Sequence, residues 1–233
     1  SPFNLTPDPR FVFLSRNHKE AFAHLLYGIN NRTGFIALTG EVGAGKTTVL
    51  RTLLGHLDAD YHRTALIFNP CLSPGELLQT INREFGIPAN ACNSSSFLDN
   101  LNQFLLQQNA EGRTVVLVID EAQDLEAPVL EQIRLISNLE TDREKLIQII
   151  LSGQSELLEI LKKKEMRQLS QRITVRYHLG PIGAEERRTL GRILEEGAQR
   201  VSIQGEDVRV RARSPRPPRR SATTSTSWPG RRG

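Results

Sequence analysis

No run of 18 consecutive apolar residues occurs in the chain, which leaves no segment able to cross a membrane as a helix. The first residues, Ser1-Pro2-Phe3-Asn4, lack the basic and apolar regions of a signal peptide, so a cytoplasmic chain without a membrane segment is expected. Cysteine is scarce. Cys71 and Cys92 are the whole complement of 2 and belong to no CxxC or CxxH pattern, which excludes a disulfide framework and a thiolate metal site. Internal repeats are absent too, so a repeat architecture is excluded. Acidic residues are missing from Arg209 to the end, whereas 8 of the 30 basic residues fall there. Residues 1–208 therefore carry 22 basic against 26 acidic groups, and the overall charge of +4 belongs to the tail. A mildly acidic body argues against nucleic acid as its partner.

What is present is organised around Gly40-Glu41-Val42-Gly43-Ala44-Gly45-Lys46-Thr47-Thr48, a full GxxxxGK[ST] loop. It directly follows the apolar run Phe35-Ile36-Ala37-Leu38, and strand, glycine loop and helix in that order are what phosphate binding requires. Glycines at 40, 43 and 45 free the backbone to turn its N–H groups around a polyphosphate. The helix opening near Gly45 adds its dipole. Lys46 is expected to reach the β- and γ-phosphates, and the Thr47 hydroxyl to ligate Mg²⁺. The loop thus predicts binding of ATP or GTP.

At 233 residues the chain suits one α/β domain with a smaller appendage. Residues 1–16 are proline-punctuated. A helix follows, with Asn17 as its cap and Glu20 at the third position. Beyond the loop the pattern predicts helix 45–57, strand 64–69, a helix opened by the capping box Ser73-Pro74-Gly75-Glu76, and helix 95–109 with a core-facing stripe of Phe97, Leu98, Leu101, Phe104 and Leu105.

Residues 113–119 then form an unbroken β-rich run, as in a strand covered on both faces, and it ends in Asp120-Glu121. Acids leaving such a strand sit where open α/β sheets bind ligands. Asp120 is expected to hold Mg²⁺ through water or Thr47, and Glu121 to polarise the attacking water. Helix 127–139 leads to strand 146–151, which ends at Ser152-Gly153-Gln154, where Gln154 is either a hydrogen-bond partner for the γ-phosphate or that water or a plain turn residue. Helices over 155–171 carry the Lys162-Lys163-Lys164 run as a solvated face, and strand 173–179 completes five strands alternating with helices, hence a parallel, doubly wound sheet. A further helix is expected over 181–197. From 209 the Arg/Pro/Ser composition predicts a disordered tail.

These residues resemble an AAA+ ATPase and, within that superfamily, the ExeA-like general secretion pathway protein A family of bacterial secretion ATPases. The resemblance covers residues 3–179. It rests on Pro2-Phe3 with Thr6-Pro7-Asp8-Pro9-Arg10, the phosphate loop, Asp120-Glu121-Ala122-Gln123-Asp124-Leu125, Ser152-Gly153-Gln154, and Arg167-Gln168-Leu169-Ser170-Gln171-Arg172-Ile173. It implies a P-loop three-layer α/β sandwich with strand order 5-1-4-3-2, and Gln154 as the first sensor. It also implies a homo-oligomer in which an arginine finger reaches a neighbouring subunit, Arg172 being the first choice and Arg167 the second. The implied activity is Mg²⁺-dependent ATP hydrolysis serving an envelope secretion or pilus system through a partner protein of that system.

The family continues into a helical lid with a Gly-x-Pro-Arg segment, and many members add a membrane helix and a peptidoglycan-binding domain; none is visible in this sequence. The expected division is a nucleotide-binding core over 1–180, the start of a lid over 181–208, and the basic tail over 209–233, which leaves the lid incomplete. Three other readings stay open: a DNA-transposition helper ATPase, a helicase, for which 233 residues leave no second motor domain, and a non-hydrolysing switch.

Overall fold

The computed structural model describes residues 16–68, 72–88, 94–141, 144–181, 198–204 and 207–212. Cys71, Cys92, the N-terminal segment 1–15, the helix expected over 181–197 apart from Pro181, and residues 213–233 of the tail lie outside them. In chain order the elements are α1 (Arg16–Asn30), β1 (Phe35–Gly40), α2 (Lys46–His56), β2 (His62–Ile67), α3 (Pro74–Glu84), α4 (Ser94–Ala110), β3 (Thr114–Ile119), α5 (Ala127–Ile136), β4 (Ile147–Gly153), α6 (Glu156–Lys162), α7 (Arg167–Arg172), β5 (Ile173–Leu179), β6 (Ala198–Gln204) and β7 (Asp207–Ala212).

The first five strands pair in parallel in the order β2-β3-β4-β1-β5, which is the expected 5-1-4-3-2 read from the other edge. Position in the sheet explains strand composition. The inner strands β1 and β4 are buried at every residue, and β3 at all but its first, because helices cover both faces. The edge strand β5 is buried only at its two ends. Alternate residues of the inner strands feed two cores. Phe35, Ala37, Val115, Leu117, Ile119, Ile149 and Leu151 pack under α3 to α7, while Ile36, Leu38, Val116, Val118 and Ile150 pack under α1 and α2. The result is a three-layer sandwich. Within it the α4 stripe behaves as expected, with Leu101 and Leu105 fully buried and Phe97, Leu98 and Phe104 packed on the core.

The capping box of α3 forms: Ser73 Oγ accepts from the Glu76 N–H, and Glu76 accepts from the Ser73 N–H at 2.8 Å. The first helix differs from the sequence reading. It already includes Arg16, so Asn17 lies inside its first turn rather than capping it, and Glu20 pairs with Arg16 across one turn at 2.9 Å. The basic stretch 155–171 divides into α6 and α7 around a 3₁₀ turn, Lys164–Met166, because Lys163 takes an extended ψ of 146°.

The second difference concerns the tail. Arg209–Ala212, the expected start of the tail, belongs to β7, which forms an antiparallel two-stranded ladder with β6. Valines at 208 and 210 alternate with arginines at 209 and 211, and the register sets Val208 opposite Ile203 and Val210 opposite Val201. That is a strand period, hidden in the sequence beneath its charge.

Candidate functional site

Each of β1, β3 and β4 delivers its last residues to the same end of the sheet, because parallel strands share a direction and the register aligns their C-termini. From β1 comes the glycine loop. Gly43 and Gly45 have φ of 78° and 88°, the left-handed region that glycine enters at little cost, and Gly45 caps α2. Gly40 has a different reason to be glycine. A Cβ there would lie 2.5 Å from the carbonyl oxygen of Leu179, so the close approach of β5 demands it.

Val42 at the loop tip is 72% exposed, whereas Lys46 is only 7% exposed. The Lys46 ammonium donates to the carbonyls of Gly40 at 2.8 Å and Glu41 at 3.0 Å, using two of its three donors on the loop itself. Thr48 lies in the first turn of α2, and its carbonyl accepts from Thr52 Oγ1 at 2.8 Å. Two contacts the sequence did not foreshadow brace the loop: the buried His18 of α1 meets the Ala44 carbonyl at 2.9 Å, and Ser155 Oγ donates to Glu41 at 2.7 Å. A lone histidine or serine carries no motif, so nothing in the sequence marked either.

From β3 come the acids. Asp120 is buried, its N–H bonds the Ile67 carbonyl, and its Oδ2 accepts from Thr47 Oγ1 at 2.8 Å. A hydroxyl and a carboxylate held together at the end of the glycine loop fit Mg²⁺, which takes oxygen donors, keeps waters and uses few protein ligands. Among the described residues no group of three or more His, Cys, Asp or Glu side chains gathers to hold a metal. Glu121 follows in a left-handed conformation, φ 54° and ψ 40°, which for a residue with a Cβ costs about 1–3 kcal/mol and tends to occur at functional sites. The 3₁₀ turn Ala122–Asp124 comes next.

From β4 comes Gln154, whose backbone N–H donates to Gln123 Oε1 at 2.9 Å, while Gln123 Nε2 donates to Glu121 Oε2 at 2.8 Å. The structure thus brings Gly40 to Thr48, Asp120, Glu121 and Gln154 to one place. Arg172 and Arg167 stand apart. β5 begins at Ile173 opposite Phe35, the first residue of β1, whereas Leu179 pairs with Gly40, so Arg172, just before β5, lies at the opposite end of the strands from the loop, roughly 16 Å away along the strand. Arg172 is half-buried and donates to the carbonyl and hydroxyl of Ser137 at 3.3 and 3.2 Å. Arg167 is exposed, and its side chain makes no hydrogen bond or ion pair with the described residues, although its backbone N–H bonds the Lys164 carbonyl.

The AAA domain family matches residues 29–161, which include the glycine loop, the acidic pair and Gln154. The general secretion pathway protein A of Aeromonas hydrophila is 46% identical over 186 residues, 79% of this chain but 34% of that protein, so the chain spans about a third of that relative's length. Among solved structures, the Aeropyrum pernix ORC2 protein superposes with a TM-score of 0.63 at 18% identity, covering 82% of this chain and 54% of the other. The Cdc6p protein of Pyrobaculum aerophilum gives 0.60 at 20% identity, covering 84% and 51%. The Walker-type ATPase of Pyrococcus abyssi gives 0.52 at 19%, covering 79% and 59%. These likenesses establish the fold, and with the family match across more than half its length the chain belongs to the AAA domain family of P-loop ATPases.

Proposed function

We propose that this chain binds ATP with Mg²⁺ and hydrolyses it, as the motor or switch of a bacterial envelope secretion or pilus system, on the cytoplasmic side. The observation that carries the reading is the meeting of Thr47 and Asp120 at 2.8 Å beside a loop whose buried Lys46 faces the same end of the sheet as Glu121. Backbone N–H groups of Gly43 to Thr48 would cradle the phosphates, with the α2 dipole behind them. Lys46 would exchange its loop carbonyls for phosphate oxygens, which are stronger partners for an ammonium. Thr47 and Asp120 would hold Mg²⁺, whose charge offsets that developing on the phosphates. Glu121 orients the attacking water and takes its proton, and Gln154 contacts the γ-phosphate or that water.

Sequence likeness to the general secretion pathway protein A supports the cellular role and a partner from that system. Among the described residues no helix is long and apolar enough to cross a membrane. Assembly of like subunits completes the site with an arginine from a neighbour. Arg167 is the better candidate for that role, since Arg172 is already engaged within its own chain while Arg167 is exposed.

The test separates binding from turnover. Titration with a fluorescent ATP analogue, with Mg²⁺ and with chelator, should show binding lost in Lys46→Ala, and in Glu121→Gln binding retained while phosphate release stops. Equal loss of binding in both variants would remove Glu121 from the chemical step, and binding indifferent to Mg²⁺ would remove Thr47 and Asp120 from the metal. Competition between ATP and GTP identifies the base.

A further inference from the structure

Gln123 joins two groups that arrive from different strands. One end of its amide donates to the Glu121 carboxylate at 2.8 Å, and the other accepts from the backbone N–H of Gln154 at 2.9 Å. The orientation of the amide is set by chemistry, because a carboxylate can only accept and a backbone N–H can only donate. The residue below it makes room: a Cβ on Gly153 would lie 2.8 Å from Gln123 Oε1 and 3.0 Å from Leu157 Cδ2. A half-buried side chain is thus clamped between the residue two places after β3 and the backbone of the residue that follows β4.

We propose that Gln123 is a positioning residue for Glu121, fixing its carboxylate toward the reacting water and coupling it to the backbone at Gln154. The proposal rests on the reading of Glu121 as the water-activating group. Glu121 sits on a left-handed backbone that leaves its side chain without support from a regular element, and Gln123 supplies that support through one hydrogen bond. Because the other end is held at Gln154, a shift there on phosphate contact reaches Glu121 through a single side chain.

Three variants of the full chain test this beside Glu121→Gln. Gln123→Glu keeps an acceptor for the Gln154 N–H but sets a second carboxylate against Glu121. Gln123→Ala removes both bonds. Gly153→Ala displaces the amide while leaving Gln123 in place, and it meets mainly the far ends of two side chains. In all three, kcat should fall between about tenfold and about a hundredfold, the scale of a misplaced reacting group, with the Kd for Mg-ATP unchanged. In Gln123→Glu the acid limb of the kcat–pH profile should also move to higher pH, since two adjacent carboxylates share a proton. A purely structural Gln123 would lower the melting temperature of Gln123→Ala and leave kcat of the folded protein at the parent level.

Turnover in Gln123→Glu and Gly153→Ala that stays at the parent level or rises, with the parent's pH profile, overturns the proposal while Glu121→Gln remains blocked. Turnover retained in Glu121→Gln overturns the underlying reading of Glu121 instead, and the proposal with it.

Discussion

Arg172 is the residue for which likeness to a family and the geometry of this chain lead to different experiments. Its guanidinium donates to both the carbonyl and the hydroxyl of Ser137, the residue that ends α5, at 3.3 and 3.2 Å. A cation there satisfies a terminal helix carbonyl and complements the α5 dipole, worth about 0.3–1 kcal/mol. Hydrogen bonds from a charged donor add about 1.5–3 kcal/mol each at their best. These two come from one guanidinium nitrogen and are long and half-buried, so together they contribute about 1.5 kcal/mol, the low end for a single bond. Against them stands repulsion: burial first, and the Arg172 charge second, hold the Lys145 amine below its ordinary pKa, and removing Arg172 relieves the second part. The balance for Arg172→Ala is a loss of about 1 kcal/mol, or a melting temperature lower by about 2–4 °C for a chain of this size.

Arg167→Ala breaks no described bond and should leave melting unchanged, while slowing turnover in the assembled protein by roughly 10³-fold or more if Arg167 reaches a neighbour's phosphates. The assay pairs thermal melting with phosphate release across a range of protein concentrations. Mixing Arg167→Ala with Lys46→Ala subunits should restore some turnover, since intact halves then meet across an interface. If instead Arg172→Ala melts like the parent, abolishes turnover and is rescued by mixing, the role belongs to Arg172, and its bonds to Ser137 do not keep it from a neighbour's site.

Gly40→Ala should destabilise by about 1–3 kcal/mol, because the added Cβ would lie 2.5 Å from a backbone oxygen of Leu179 and β5 must move to admit it; a melting temperature equal to the parent's would show that β5 yields freely. At the start of α3, the Ser73 hydroxyl and then its N–H hold the Glu76 carboxyl below the ordinary glutamate range. That capping contribution is present above an unfolded value of about 4.3 and is lost as pH falls through the lower folded value, so Ser73→Ala should reduce the acid sensitivity of melting below about pH 4.5; identical acid profiles in variant and parent would argue against the box. Val210→Pro should disrupt the β6–β7 ladder by removing a backbone donor at the register position opposite Val201, read as faster proteolysis within 198–212; unchanged cleavage would mean that the ladder contributes no protection.

The phosphate loop, the acidic pair, the capping box and the alternation of five strands with helices were legible in the sequence because each is set by neighbours in the chain. A GxxxxGK[ST] spacing, a run of β-branched residues or a serine three places before a glutamate carries its physical reason within a few residues. The β6–β7 ladder lay at the margin, its two-residue period masked by arginines and by a composition that reads as tail. Tertiary structure alone decided the rest. Gly40 is glycine because β5, far along the chain, passes at contact distance, and Thr47 meets Asp120 only because β3 and the loop end at one edge of the sheet. Likewise Gln123, an ordinary polar residue by sequence, became the link between Glu121 and Gln154 when β3 and β4 paired, and Arg172 found Ser137 when α7 packed against α5. Local propensity reaches one or two turns along the chain, whereas these contacts join residues whose separation the chain closes only by burying its two cores.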